Sequence, residues 1–561
     1  MTRRRSLLAA LALGLVLALA ACTGMPTSGP VQPGLAPAGD TAPPAVAYFA
    51  DAPRDGMTPE QIVDGFIQAG SDPRDNWGIA RMYLAPDIHE SWQPTESATV
   101  DLLAARTVTA TGPDTVSVQL TPTGLVDANG VYSASDSGPT PLSFQLAQVD
   151  GQWRISRASN GIVLDSAKFR NVYESYSLMY FDPTWRFLVP DVRWYPRFNA
   201  PTRIASALVS GSPSPWLEKS VVTAFPPDLV VRAAVPVVDG TAEVELSAEA
   251  LSLSSDTLDR MQTQLATSLA TASVADVRMT VGGAVLAASP VATEPTSVGG
   301  RPLVDATSGG FGFLTGGEQI DPVPGLSAAV EAVEPRAIET SANGSFAAVR
   351  DADGRILRVP AAGATAVADT RAGLVDPTVD PEDHIWTVPA DTPAAVVAVG
   401  AQGTRIDIAN AWPSASRIAS MQVSRDGTRV VALVTTGGRT ALWIAGVIRD
   451  ASGAPSALGP AQQLGLIAGT GVAVAWTDAQ TVMAVARDGD ETTVTEQVVG
   501  GTASTSSAPA EADAIAGDGE TDIFLRGVDG ALYVRRGANW QLMASGIAVL
   551  ATQQGRVVPL P

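Results

Sequence analysis

The sequence predicts a multidomain protein, α+β over its first half and all-β over its second. Three observations lead there. The chain has 561 residues, more than a single hydrophobic core organises. Up to about residue 290, helical and alternating apolar periods follow one another. Beyond about residue 303 only short alternating runs remain, punctuated by turn pairs such as Asn343-Gly344, Asp353-Gly354, Asp426-Gly427, Asp488-Gly489 and Asp529-Gly530.

The chain opens on Arg3-Arg4-Arg5, an apolar run from Leu7 to Ala21, and then Cys22 after Leu19-Ala20-Ala21. A basic start, an apolar middle and a small-residue exit make a secretory leader. The run is shorter than the ~20 residues of a membrane span. Cysteine directly after Leu-Ala-Ala resembles the lipobox of bacterial lipoproteins. That resemblance implies a signal peptide over 1–21, cleavage before Cys22, an S-diacylglycerol on its thiol and an N-palmitoyl group on its new amine. Two or three acyl chains, at about 0.8 kcal/mol per buried methylene, anchor a protein stably where one does not. The expected place is the extracytoplasmic face of the cell membrane, held by lipid. Cys22 is the only cysteine, so no disulfide supports the body.

Three of the 36 basic residues lie in the leader, leaving 33 against 57 acidic ones, a net charge of −24. Phosphate backbones need Lys and Arg, so nucleic acid is not an expected partner. A basic partner is compatible with this charge.

Residues 22–45 are rich in Gly, Pro, Ser and Thr without a period. They read as a flexible tether. The first domain is expected over 46–164. Thr58 can cap a helix whose first turn takes Pro59, with Ile62, Phe66 and Ile67 on one face. A second helix would carry Ile79, Met82 and Tyr83. After Trp92 the period becomes two: Thr107-Val108-Thr109, Thr115 to Leu120, Leu142 to Leu146 and Trp153-Arg154-Ile155, the last two joined by the hairpin signal Asp150-Gly151. Helices followed by a sheet ending in Gly151-Gln152-Trp153-Arg154-Ile155 resemble the NTF2-like α+β cone. Some cones of that group hold a His–Asp pair. The single histidine here, His89 beside Glu90, reads as an exposed loop residue.

Residues 165–198 are dense in aromatics, among them Tyr176, Tyr180, Trp185, Trp194 and Tyr195. They read as strands about the turn Asp182-Pro183, filling a domain junction. The second domain is expected over 199–288. It has a short helix from Pro201, a strand from Leu229 to Val238, the turn Asp239-Gly240 and a returning strand Ala242 to Leu246. A helix capped by Ser255 then carries Leu258, Met261, Leu265 and Leu269, and Val277 to Val281 closes the sheet. With Thr223-Ala224-Phe225-Pro226, this order resembles the GerMN module, a binding or assembly unit without established chemistry. Residues 289–302 read as a linker.

The remainder, 303–561, repeats strand pairs. Asp353 to Pro360, Asp383 to Pro389 and Gly530 to Val534 align, and Thr440 to Ile444 aligns less closely. Ser424-Arg425-Asp426-Gly427 opens a strand pair of the kind common in propellers. Four-strand repeats of about 40–50 residues predict a β-propeller of five to seven blades, with an array of β-sandwiches as the alternative.

Chemistry is sparse. Two histidines in different domains and one acylated cysteine leave no His/Cys zinc site. His384 could serve a hydrolase triad, but no G-x-S-x-G elbow accompanies it. Asp351-Ala352-Asp353-Gly354 begins like a calcium loop, and Ala362 stands where its glutamate belongs. Ser308-Gly309-Gly310 lacks the lysine of a P-loop. The sequence predicts no catalytic residue, no metal and no cofactor, and a binding protein rather than an enzyme.

Three stretches are more specific: Met25-Pro26-Thr27-Ser28-Gly29-Pro30, Leu188 to Pro196 (LVPDVRWYP), and the GerMN strands. In the order lipobox, NTF2-like cone, aromatic junction, GerMN module, propeller, the chain resembles the LpqB lipoproteins of actinobacteria. The resemblance implies an accessory regulator of a two-component system of the MtrA–MtrB type. Its partner would be the extracellular domain of the sensor histidine kinase, and the readout cell-wall homeostasis and division. The propeller face, the GerMN sheet and the aromatic junction stand as candidate surfaces, with no residue singled out. A lipoprotein that binds wall glycan or a small ligand is the alternative, and a propeller hydrolase a further one.

Overall fold

The computed structural model describes residues 50–555 apart from 136, 210, 317, 318, 510, 520 and 521. The leader, Cys22 and the tether lie outside the described residues. All the described residues belong to one unit, Tyr48–Pro561. Among them no helix is long and apolar enough to cross a membrane.

The first domain opens as its sequence expects. Thr58 Oγ1 accepts from the Gln61 amide and Gln61 Oε1 accepts from the Thr58 amide, a capping box at the start of helix Pro59–Ala69. Ile62, Phe66 and Ile67 are buried. The next segment, Arg74–Arg81, departs from expectation. Asp75, Asn76 and Trp77 hold φ of 49°, 52° and 58°, a left-handed turn rather than a regular helix. It drives the Trp77 ring inward, where Nε1 donates to the Gly70 carbonyl at 2.8 Å. Met82 is thereby exposed instead of facing the core.

Two four-stranded sheets follow. One runs Thr107–Ala110, Thr115–Leu120, Thr140–Val149, Gln152–Arg157, all antiparallel, with Asp150 and Gly151 both left-handed at the predicted hairpin. The other is ordered Tyr132–Ala134, Pro122–Val126, Ala98–Asp101, Ile162–Asp165. Sequence reading misses this second sheet because its strands are short or lack strict alternation: Ile162–Asp165 is buried at every position.

Asp165 caps helix Ser166–Val172 and the chain enters a long hairpin, Tyr173–Phe181 against Leu188–Pro196, paired over its whole length. This hairpin is part of the second domain's core, not only a junction. Helix Ser255–Ala270 lies on it: Gln264 Nε2 donates to Met179 O at 2.8 Å, and Ser268 Oγ accepts from Met179 N at 2.8 Å. The same Gln264 accepts from Ala224 N at 2.7 Å, fixing the Thr223–Pro226 segment. The cap is Ser254, whose Oγ accepts from Thr257 N, one residue before the position expected. Strands Thr241–Glu245 and Asp276–Val281 are parallel, so this helix is their crossover. The strand expected from Leu229 shrinks to Val237–Val238. Pro236 cannot donate to a ladder, and upstream only a single Val231–Leu246 bridge survives.

The C-terminal domain is a six-bladed propeller. Its inner strands are Pro335–Thr340, Thr378–Val379, Arg417–Val423, Thr470–Trp476, Ala512–Gly517 and Ile547–Gln553. The last of these pairs antiparallel with Leu303–Ala306, Leu303 opposite Ala551. That blade therefore takes its inner strand from one end of the domain and three outer strands from the other. It closes the ring and excludes a sandwich array. The repeat alignment needs one correction. Ile356–Pro360, Arg439–Arg449 and Leu532–Arg536 are third strands of their blades, but Ile385–Thr387 is a second strand. Both kinds of hairpin use the same turn residues, so turn signals alone do not separate them. Residues 289–302 pass from the second domain to the propeller: Ser289 N and Val291 N donate to Asp259 and Thr263 of helix Ser255–Ala270, and Val298 N donates to Asp518 O at 2.7 Å.

Candidate functional site

Inner strands of a propeller start at one face and end at the other, which gives the two ends of the channel different fates here. At the end where the inner strands finish, the channel is plugged. The Glu339 carboxylate accepts from Val379 N at 3.0 Å, from Thr378 Oγ1 at 3.2 Å and from Thr552 Oγ1 at 2.7 Å, tying three neighbouring inner strands together. Burial raises the Glu339 carboxyl to about 6. Below it Arg425 spans the axis and donates to the carbonyls of Gln553 and Gly517 on other blades. Burial lowers its guanidinium to about 10.

The rest of the chain covers this same face. Ser177 Oγ donates to Gln480 Oε1 at 2.9 Å, Trp194 Nε1 donates to Gly500 O at 2.8 Å, and Arg186 pairs with Glu382. The turn at Trp216–Ser220 lies so close to strand Arg439–Arg449 that a Cβ at Gly446 would stand 2.8 Å from Trp216 O.

The other end is open. A cavity of about 330 Å³ occupies the mouth, and all its lining residues belong to the propeller. A narrower cavity of about 60 Å³, reaching Glu339, Gln422 and Thr552, lines the channel beneath. The channel is thus a blind cup. Three arginines surround its mouth. Arg350 Nε donates to Asp376 Oδ1 at 2.8 Å, and Arg526 Nη1 grips Asp513 at 2.6 and 2.8 Å. Arg336 is exposed and makes no ion pair with a described residue. Three guanidiniums against two carboxylates make the mouth net positive on an acidic chain.

The first domain has a second cavity, about 230 Å³, between its two sheets and helix Pro59–Ala69.

Neither histidine makes a catalytic constellation. His89 is half-buried at the end of the short helix Pro86–His89, not in an exposed loop; its Nδ1 lies 3.0 Å from Glu90 Oε1, and it does not line the cavity of its domain. His384 has Nδ1 3.2 Å from Asp380 Oδ1. Asp380 also accepts from Trp386 Nε1 at 3.2 Å and Arg449 Nη2 at 3.0 Å. These bonds hold its carboxyl down to about 2 despite burial. The group braces a turn on the covered face. Asp351 likewise serves its own turn, accepting from the amides of Asp353 and Arg355. Among the described residues no cluster of three His, Cys, Asp or Glu could hold a metal. The channel residues escaped sequence reading because arginines scattered from 336 to 526 converge only when the ring closes.

Two family models describe most of this architecture. "Lipoprotein LpqB, N-terminal domain" matches residues 52–170 and "Lipoprotein LpqB beta-propeller domain" matches 313–550. The chain belongs to the LpqB lipoprotein family. Between those stretches a "Sporulation and spore germination" model matches 177–287, which takes in all of the hairpin but its first four residues, in keeping with its packing on helix Ser255–Ala270. Relatives named "Lipoprotein LpqB" include one from Cutibacterium acnes, 31% identical over 53% of this chain and 50% of its own. Another, from Mycolicibacterium smegmatis, is 31% identical over 42% and 40%. A third, from Mycobacterium bovis, is 27% identical over 78% and 79%. The chain spans about half the length of the first of these relatives and less of the second. Among solved structures, a nidogen/laminin complex aligns with 45% of this chain and 98% of its own at TM-score 0.33 and 10% identity. TolB from Acinetobacter baumannii aligns with 44% and 66% at TM-score 0.32 and 13% identity. Scores this low add nothing to the fold. In this LpqB chain the stretch Leu188 to Pro196 is interdomain structure. Arg193 donates to Asn129 O and Ser212 O, and Tyr195 Oη to Asn129 O.

Proposed function

We propose that this LpqB chain is a non-enzymatic, lipid-anchored protein of the cell envelope that regulates a two-component sensor kinase of the MtrA–MtrB type from the extracytoplasmic side. The observation that carries the reading is the asymmetry of the propeller: one face is spent on the other domains, the other presents an open, arginine-lined cup. Such a protein acts by binding one conformation of its partner better than another. Anchoring through the lipidated Cys22 would raise its local concentration at a membrane partner. The relatives' name, lipoprotein, and the Leu-Ala-Ala-Cys exit of the leader support the anchor.

The test is calorimetric titration of unlipidated chain, from Asp40 onward, into the purified extracytoplasmic domain of the cognate kinase. Saturable binding at micromolar affinity or better supports the reading. No binding at about 100 μM, far above the ~1 μM that corresponds to −8.2 kcal/mol, whether the chain is free or tethered to vesicles carrying the kinase, refutes it. Binding of mass-labelled chain to isolated wall would then favour the glycan alternative.

A further inference from the structure

The cavity of the first domain has walls that are mostly apolar and carry no charge. Phe66, Ile67, Leu120, Leu142, Phe144 and Ile162 supply most of it, and no charged side chain lines it. Its shape is fixed before any ligand arrives. Phe66 packs on Trp92 with centroids 5.0 Å apart and on Phe144 at 6.0 Å, and Trp92 Nε1 donates to Ser159 O at 3.2 Å. Interiors of proteins are otherwise packed to crystal density. A dry, apolar cavity of about 150 Å³ takes up benzene; this one is about 230 Å³ and is not closed off from solvent.

Five polar side chains also line the cavity: Ser97, Thr99, Thr140, Ser159 and Asn160. Thr140 Oγ1 donates to Gly138 O at 3.1 Å, and the Asn160 amide is held by Glu96 and Gln93. Ser97 and Thr99, beside and on strand Ala98–Asp101, have no hydroxyl bond to a described residue. No carboxylate or imidazole lines it, and His89 and Glu90 pair with each other outside it. The cavity is equipped to hold a molecule and not to transform it.

We infer that this cavity is a binding site for a small, uncharged, largely apolar molecule with one hydroxyl or carbonyl end, about the size of a single substituted ring. The apolar body lies against Phe66, Leu142 and Phe144, and the polar end meets Ser97 and Thr99. A charged ligand is excluded because no wall group could pair with it in so apolar a space. The site is independent of the sensor-kinase reading and stands or falls separately.

The test uses the chain from Asp40 onward with three probes: 4-ethylphenol, ethylbenzene and 4-ethylbenzoate. Binding is read by saturation-transfer NMR and calorimetry, with folding checked by thermal unfolding. The neutral probes are expected to bind saturably below about 1 mM, and the carboxylate at least tenfold more weakly. Leu142→Trp, which fills the cavity from strand Thr140–Val149, should abolish binding of both neutral probes. Thr99→Val keeps the shape and removes a hydroxyl. It should weaken 4-ethylphenol by about 2- to 10-fold, the worth of one hydrogen bond, and leave ethylbenzene unchanged. The inference is overturned if no neutral probe binds at 5 mM, if the carboxylate binds as well as the phenol, or if a folded Leu142→Trp chain binds like the parent. Loss of both neutral probes in Thr99→Val would overturn the assigned orientation.

Discussion

Replacing Arg193 by leucine should loosen the joint between the first and second domains. Arg193 is 3% exposed and its partner Asp191 2% exposed, 2.7 Å apart. Two further guanidinium bonds reach Asn129 O at 2.9 Å and Ser212 O at 3.1 Å, and Asp191 also accepts from Ser214 N at 2.7 Å and Ser214 Oγ at 2.6 Å. An exposed pair would be worth less than about 1 kcal/mol. Removing one partner of a buried pair costs about 3–5 kcal/mol, because the other charge is left unpaired. Ser214 keeps two bonds on Asp191, so the low end applies, about 3 kcal/mol. Unfolding of a multidomain chain is not two-state; the assay is therefore amide hydrogen exchange. At about 1.4 kcal/mol per tenfold, amides at Asn129–Val131 and Ser214 should exchange more than a hundredfold faster, while the propeller strands keep their protection. The double variant Asp191→Val/Arg193→Leu removes the stranded charge and should recover part of that loss. Exchange within threefold of the parent in Arg193→Leu, or a double variant as loose as the sum of the singles, would refute the argument.

Three other outcomes follow from the same geometry. Gly446→Ala places a methyl group against the Trp216 carbonyl, an overpacking worth about 1–3 kcal/mol; limited proteolysis should cut the 211–222 segment faster while the propeller stays resistant. Glu339 is held at about 6 against an ordinary 4.5, so on raising the pH the unfolded chain releases its proton first. Native stability should then fall by up to about 2 kcal/mol between pH 4.5 and 6, and in Glu339→Gln that component of the pH dependence of thermal unfolding should vanish. Arg336→Glu reverses the charge at the mouth that, among the described residues, has no ion-pair partner; it should weaken binding of the kinase domain at least tenfold without lowering the unfolding temperature, and unchanged affinity would move the docking surface off the cup.

What the sequence makes legible depends on how local the cause is. The capping box at Thr58, the left-handed hairpin at Asp150-Gly151 and the amphipathic stripe of helix Ser255–Ala270 are set by neighbours within four residues, and all three are present. The second sheet of the first domain is not legible, because Ala98–Asp101 pairs in parallel with Ile162–Asp165, more than sixty residues away. The left-handed turn at Asp75–Trp77 is set by where the Trp77 ring must go, which no local propensity encodes. The propeller's existence shows in its turn pairs, but its blade count needs the closing strand Ile547–Gln553. The cup shares that difficulty, since its floor joins Glu339 to Thr552 across the closure.

The stretch from Leu188 to Pro196 is the most distinctive run in the chain, and distinctiveness invites a reading as a recognition motif. Its side chains are committed elsewhere. Asp191 and Arg193 form the buried joint, Trp194 reaches Gly500 of the propeller, and Tyr195 reaches Asn129 of the first domain. Val192 lies so close to Gly500 that a Cβ there would stand 3.1 Å from it. Eight of the nine residues are buried, so a partner could touch them only by separating the domains. Such a run is constrained because three bodies depend on it at once, a geometric demand stricter than binding a fourth. Under the proposed function and the inferred ligand site, recognition falls to surfaces the architecture leaves unspent: the arginine-lined mouth for a macromolecule's acidic segment, and the largely apolar cavity between the two sheets for a small neutral molecule. The two differ in charge, size and depth. A ligand for one is not a competitor for the other, and the 4-ethylphenol that fills the cavity should leave binding at the mouth unchanged unless the Arg193 joint transmits the change.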